Sequence, residues 1–175
     1  FSGCTTTTPM AEKTRPLVGD YQPPDWVNKG SGAFKDANDE KVFYGVGLAD
    51  GMNNLSLQRT TADDRAIVNI ATQIKSVVKR LKKDYESITA RDKDTTEREN
   101  VENAMKLLVN QTVSGAKIID HWEHPGKNAL YALARVQFSK LQKQIEVRKG
   151  LSDEARQKIK KKAEKIYEDM AKEGL

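Results

Sequence analysis

The sequence predicts an α+β fold, in which a three-stranded antiparallel sheet packs against one long helix, with additional helices that include a C-terminal one. Three observations favour this class. Residues 42–48 are β-branched and aromatic, as in a strand. Apolar residues then recur at steps of three and four between Ala66 and Leu81, as on one face of a helix. Two further apolar segments, residues 116–123 and 129–138, flank a Pro-Gly turn and predict a hairpin.

The first 24 residues predict a membrane tether that carries lipid on Cys4. Ser2-Gly3-Cys4 fits the end of a lipoprotein signal peptide, with Phe1 where leucine is commoner. The alternative is a free cysteine at a frayed end. Residues 5–24 are polar, contain four prolines and lack apolar periodicity. Such a coil has a root-mean-square reach of roughly 25 Å. We therefore expect residues 1–24 to anchor a folded part that begins near Trp26, and we expect Trp26 itself to pack into the core as an anchor.

Composition restricts the classes of function. The chain has 175 residues, one cysteine and a formal net charge of +5. That length suits one domain with its own core. No segment approaches the roughly 20 apolar residues that cross a bilayer. The basic residues are not interleaved with aromatic ones and no zinc pattern is present, so we expect no nucleic-acid partner.

The central elements follow from periodicity. The long helix should run from about Ser56 to Tyr85, and a second helix follows a polar stretch at residues 89–95. On the later strand of the hairpin, Ala132 and Ala134 belong to the face that we expect against the helices, since small side chains let a helix approach closely. The opposite face carries Tyr131, Leu133 and Arg135. It is less polar than a fully solvated face, so we predict that a partner contacts these three residues.

The C-terminal residues 139–175 predict a helical extension of a core domain at residues 25–138. A short helix should end near Gly150, and Ser152 with Asp153 and Glu154 provides the chemistry of a new helix start. The lysine-rich run at residues 158–165 could bind an anionic lipid or polymer, but such runs are usually solvated helix faces.

No motif predicts catalysis, a cofactor or a metal. The glycines of residues 45–51 resemble a dinucleotide fingerprint, but the third arrives late and no βαβ pattern follows, so relief of strain between strand and helix explains them better. His121 and Glu123 should share a strand face while His124 points away, which gives too few ligands for a metal. No serine lies in a nucleophile elbow. We expect no enzyme activity and no small-molecule substrate.

Five short motifs in order resemble the Lpp-twenty family of small bacterial surface lipoproteins, which includes the FlgP-type flagellar lipoproteins. The motifs are Ser2-Gly3-Cys4, Pro24-Asp25-Trp26-Val27, Tyr44-Gly45-Val46-Gly47, the alanine-rich helix at 66–73, and Ile119-Asp120-His121-Trp122 followed by Leu130-Tyr131-Ala132-Leu133-Ala134. The match spans about residues 24–137. Phe1 and the charged tail after Phe138 depart from the family pattern.

The resemblance implies a non-enzymatic outer-membrane or periplasmic lipoprotein with a dodecin-like core, a helix wrapped by a three-stranded sheet. Some members of the family assemble into rings or discs around the flagellar motor, and others are exposed antigens. Our first hypothesis is an envelope scaffold that associates with itself through sheet edges or the apolar side around Leu133. The alternatives are a surface adhesin or antigen, facing outward rather than the periplasm, and a tethered activator of a cell-wall enzyme.

Overall fold

The computed structural model describes residues 22–89, 95–149 and 151–173. In chain order the elements are α1 (Asp25–Lys29), β1 (Gly32–Lys35), β2 (Lys41–Asp50), α2 (Leu55–Thr89), α3 (Thr95–Val113), β3 (Lys117–Glu123), β4 (Ala129–Gln137), α4 (Phe138–Glu146) and α5 (Asp153–Glu173). The class is α+β, and the predicted succession of strand, helix, helix, strand, strand and C-terminal helix is confirmed.

The sheet has four antiparallel strands in the order β1-β2-β4-β3, so the prediction of three strands is wrong. The dodecin-like arrangement expected with three strands is not matched either. The additional strand is β1, which pairs only with residues 41–44 of β2. It escaped prediction because it has four residues and begins with Gly32 and Ala33, which carry no β-branched or aromatic signal.

A tight turn makes β1 possible. The Asp36 carboxylate accepts the backbone N–H groups of Asn38 and Glu40, at 2.9 and 3.0 Å, and Asp39 has a φ of 60°. Asp and Asn favour such turns because their short side chains bond the local backbone and tolerate the left-handed region. The turn chemistry of residues 36–40 is therefore the local sequence signal of this hairpin.

The long helix α2 lies directly on β2 and β4 with little space between the backbones. A Cβ atom built on Gly45 would lie 2.1 Å from the Ala66 carbonyl oxygen, and one built on Gly47 would lie 2.0 Å from that of Ala62. Both glycines have ordinary strand conformations, so close packing explains them. The strain relief expected from sequence applies to Gly51, which follows the end of β2 with a φ of 68°. The neighbouring Ala132 and Ala134 of β4 are fully buried, which confirms the predicted helix-facing side.

The C-terminal helix α5 belongs to the same hydrophobic core as the sheet and α2. Tyr167 is 1% exposed, and its ring centroid lies 5.2 Å from that of Phe43 and 4.8 Å from that of Phe138. Its hydroxyl accepts the Val42 N–H at 3.0 Å and donates to the Phe34 carbonyl oxygen. One side chain thus joins α5 to both strands of the first hairpin.

Candidate functional site

The sheet surface opposite α2 carries the three residues that were predicted from the sequence to contact a partner. Side chains alternate along β4, so Ala132 and Ala134 face α2 while Tyr131, Leu133 and Arg135 face away from it. We call this surface the open face. The antiparallel register arranges its side chains in three rows across β2, β4 and β3. The rows are Leu48–Tyr131–Trp122, Val46–Leu133–Asp120 and Tyr44–Arg135–Lys117.

The first of these, which we call the apolar row, is accessible at the surface. Leu48 is 37% exposed, and Tyr131 and Trp122 are half-buried. The rings of Tyr131 and Trp122 lie 5.4 Å apart, and His124 packs edge-on against Trp122 at the same distance. Aromatic side chains that combine a large apolar area with few rotamers are enriched in protein interfaces. The apolar row therefore has the composition of a contact surface.

The middle row is covered by the chain itself, and Leu133 is only 4% exposed. The covering segment is α1, which we call the strap and which Gly30 and Ser31 connect to β1. At one end the Trp26 indole N–H donates to the Asp120 carboxylate at 2.9 Å. At the other end the Ser31 hydroxyl accepts the Val46 N–H at 2.8 Å. Asp120 and Val46 flank Leu133 in the register, so the strap crosses the sheet above Leu133.

Trp26 was expected as an anchor in the core, and the structure places it elsewhere. Its ring is half-buried on the open face and bonds a residue of β3 that lies 94 positions later in the chain. The sequence motif Pro24-Asp25-Trp26-Val27 marks the correct residue but gives no information on which surface it covers.

An ion pair links the third row to the turn between β1 and β2. Arg135 donates to the second carboxylate oxygen of Asp36 at 2.9 Å, and the Asp36 side chain is 4% exposed. Burial raises the pKa of the adjacent Tyr44, with the Asp36 charge as a second cause. Arg135 therefore neutralises a buried carboxylate of its own chain, and its half-buried guanidinium still borders the open face.

One sheet edge is blocked by side chains of α2. At the end of β1 and beyond it, strand β2 would present unpaired carbonyl groups at the sheet edge. Gln73 donates to the Tyr44 carbonyl oxygen and Asn69 to that of Val46, both at 2.7 Å, and Arg65 donates to that of Leu48. Positions 65, 69 and 73 follow each other by one helical turn and match every second residue of the strand. This polar ladder occupies the acceptors that another strand would need.

The other edge, β3, is irregular and charged. The pairing of β3 with β4 shifts between Ile118 and Asp120, and Lys117 and Glu123 mark its two ends. Bulges and charges are the usual means by which an edge strand resists pairing with another chain. The two sheet edges, which the sequence suggested for association, are thus both protected against pairing with another strand.

The histidines lie on different sides of the sheet, as the strand periodicity predicted. His121 faces α2, where its Nε2 lies 2.6 Å from the Asp63 carboxylate, while Arg59 lies 3.3 Å from its Nδ1. Because arginine only donates, Nδ1 accepts and Nε2 carries the proton. His124 packs on Trp122 instead. Within residues 22–89, 95–149 and 151–173, no three His, Cys, Asp or Glu side chains form a group that could hold a metal ion.

The lysine-rich run is partly neutralised by acidic neighbours. Lys160 pairs with Glu146, and Lys162 lies 3.1 Å from the Asp84 carboxylate. Lys158, Lys161 and Lys165 are exposed. The run is thus a mixed helix surface, with part of its charge engaged in ion pairs within the fold.

Comparison with known proteins identifies the family. A family model described as LPP20 lipoprotein matches residues 24–137, which is more than half of the chain. The chain belongs to this family. None of the curated proteins matches it significantly.

Membership of the LPP20 lipoprotein family makes the chain an envelope lipoprotein. The matched residues include the strap, the whole sheet and α2, and stop before α4. In the part of the chain that the structure describes, no helix has the length and apolar character required to cross a bilayer. Cys4 and the expected tether through residue 21 lie outside the described residues.

Proposed function

We propose that this protein is a non-enzymatic scaffold of the bacterial outer membrane, held by lipid on Cys4. It assembles with copies of itself, or with other envelope proteins, through the open face. Residues 1–24 serve as the tether. The observation that carries the proposal is the apolar row, in which three large side chains lie side by side at the surface of the sheet. The flagellar discs implied by the resemblance are one form that such an assembly can take.

The proposal assigns roles to the three residues predicted for partner contact. Tyr131 supplies apolar area at the centre of the row, and Arg135 provides a charged border on one side of it. Leu133 lies beneath the strap, so it supports the face from below unless the strap moves. Contacts of this kind stabilise an assembly mainly through buried aromatic area near the centre of the interface.

Association through the open face is tested with charge substitutions in the apolar row. Leu48→Lys and Tyr131→Lys should abolish or strongly reduce oligomers in light scattering, because a desolvated ammonium opposes burial of the face. Leu107→Lys is the matched control, since Leu107 is 48% exposed on α3, away from the sheet. Oligomers that survive both row substitutions, or a native protein that stays monomeric on vesicles, would contradict the proposal.

The anchor is tested separately in the natural host. Mass spectrometry should find the Cys4 sulfur modified by diacylglycerol, and Cys4→Ser should release the protein from the membrane fraction. An unmodified thiol in the mature protein would rule out the lipid anchor. Protease added to intact cells distinguishes the scaffold from the adhesin alternative, because a periplasmic scaffold is protected until the outer membrane is opened.

A further inference from the structure

The strap is attached to the rest of the domain by few contacts. Its helix, α1, has five residues, little more than one turn, and helices this short are not stable alone. Asp25 and Lys29 are exposed and form an ion pair with each other, at 3.9 Å. The Trp26 hydrogen bond to Asp120 is the one side-chain bond between α1 and the sheet among the described residues. Undocking the strap therefore breaks little structure.

A hinge connects the strap to β1. Gly30 has a φ of 73° and a ψ of −159°, a conformation that only glycine adopts without strain. A Cβ atom built on Gly30 would meet nothing within 4 Å, so the position is sterically open. After the hinge, β1 is fixed by its pairing with β2 and by Tyr167 of α5. The strap can thus swing about Gly30 while the hairpin stays in place.

We propose that the strap is exchanged between two copies of this chain when they assemble through the open face. The strap of each copy then crosses over Leu133 of the other, with Trp26 bonded to Asp120 across the interface. This inference rests on the proposed function and specifies how its interface forms. A second copy is the natural occupant, because it carries the same segment that fits this surface and recreates the same contacts.

Exchange of the strap is favoured because it requires little free energy and adds contact area between the two copies. Exchanging an identical element preserves the contacts of the closed monomer, which makes it an inexpensive route to a symmetric dimer. It also brings the two apolar rows together, because the row lies directly beside the Leu133 row that the strap covers. Confinement of the tethered chains to a membrane raises their local concentration and favours association over the closed monomer.

The experiment uses full-length chains that each carry one cysteine, so that a cross-link between them can form only between copies. Cys4→Ser removes the native thiol, and an N-terminal histidine tag binds the chains to vesicles with nickel-chelating lipid. One chain carries Asn28→Cys, on the exposed side of the strap, and the other Ile119→Cys, beside Asp120 and 46% exposed. A short bis-maleimide should join the two into a heterodimer on a denaturing gel. A chain with Lys161→Cys, on the exposed side of α5, replaces Ile119→Cys as the negative control.

The outcomes separate the two proposals. Oligomers in light scattering without a cross-link between positions 28 and 119 overturn strap exchange and leave association through the open face intact. Monomers at every surface density overturn both. In dilute solution, a chain with both cysteines should give only the internal cross-link, which reports the closed strap.

A hinge substitution provides the second measurement. Gly30→Ala strains the closed conformation, so it should increase the exchanged fraction about fivefold or more. Gly51→Ala is the matched control, because Gly51 also has a positive φ, 68°, and open space around it, but lies far from the strap in the chain. An equal effect of the two substitutions, or none from Gly30→Ala, would overturn the role of the hinge.

Discussion

Single atoms decide how closely the long helix approaches the sheet. Gly45 and Gly47 place hydrogen atoms where any side chain would overlap the α2 backbone. Because Gly45 and Gly47 alternate with Val46, strand β2 has no side chains toward α2 at these positions and carries the Val46 side chain on the open face. Gly45 and Gly47, the first two glycines that resemble a nucleotide loop, are therefore packing residues, and their spacing of two follows from strand geometry.

The first prediction concerns this contact. Gly47→Ala should destabilise the fold by at least about 2 kcal/mol, because the added methyl group would lie 2.0 Å from the Ala62 carbonyl oxygen and two elements must separate. Gly126→Ala, in the exposed turn before β4, should change stability by less than about 0.5 kcal/mol. Urea unfolding measures both. Equal urea midpoints for the two variants would show that α2 and β2 can move apart without a loss of stability.

The second prediction concerns Tyr167 and alkaline pH. Burial raises the pKa of the Tyr167 phenol above 10.0, and the hydrogen bond to Glu164 raises the pKa of Lys41 above 10.5. Both groups keep their protons to a higher pH in the folded protein than in the unfolded chain. The free energy of unfolding is therefore at its full value below pH 10 and falls as the pH rises through the raised pKa values. Tyr167→Phe should cost about 1–3 kcal/mol at neutral pH, because the Val42 N–H loses its acceptor.

The measurement is urea unfolding of both proteins between pH 7 and 11. The Tyr167→Phe variant should lose less stability above pH 10 than the native protein, because one titrating group has been removed. A native protein whose stability rises between pH 10 and 11 would contradict the direction of these pKa shifts.

At the scale of elements, the two edges of the sheet and its open face differ in what they offer a partner. The ladder of Arg65, Asn69 and Gln73 closes one edge, and the bulge and charges of β3 protect the other. The face is left as the accessible apolar surface of the described sheet. In the proposed assembly, this division favours association through faces rather than extension of the sheet.

The third prediction tests the ladder. Asn69→Ala should cost about 1 kcal/mol and increase concentration-dependent association, because the Val46 carbonyl oxygen becomes available to another strand. Thr72→Ala is the control on the same helix, since the Thr72 hydroxyl bonds only the Val68 carbonyl oxygen of α2 itself. Unfolding by urea and sedimentation velocity measure the two effects. Identical behaviour of the variants would show that the ladder does not protect the edge.

At the scale of the whole molecule, the family match ends at residue 137, whereas the hydrophobic core continues into α5. Ile159, Ala163 and Tyr167 of α5 are buried against the same cluster as Phe43 and the sheet alanines. The helical extension is thus proposed to be part of the folding unit, although the family model matches only residues 24–137.

The fourth prediction follows from this shared core. A chain that ends at residue 138 should lose cooperative thermal unfolding, because removal of α4 and α5 exposes Phe43 and leaves the Val42 N–H without the Tyr167 hydroxyl. Circular dichroism and calorimetry of the shortened and complete chains measure the loss. A cooperative transition at the same temperature in both would show that the extension is dispensable.

Local sequence determined the α+β class, the long helix, the later hairpin, the C-terminal helix and the helix-facing alanines. Each of these features depends on the spacing of apolar and turn residues that are near one another in the chain. It also marked Cys4 as the expected anchor and led to the correct family. Tertiary structure alone decided the pairing of β1, the polar ladder on β2, the cover over Leu133 and the place of Tyr167 in the core. These features join residues far apart in the chain, as Trp26 and Asp120 are, and no local periodicity encodes which distant partner a side chain meets.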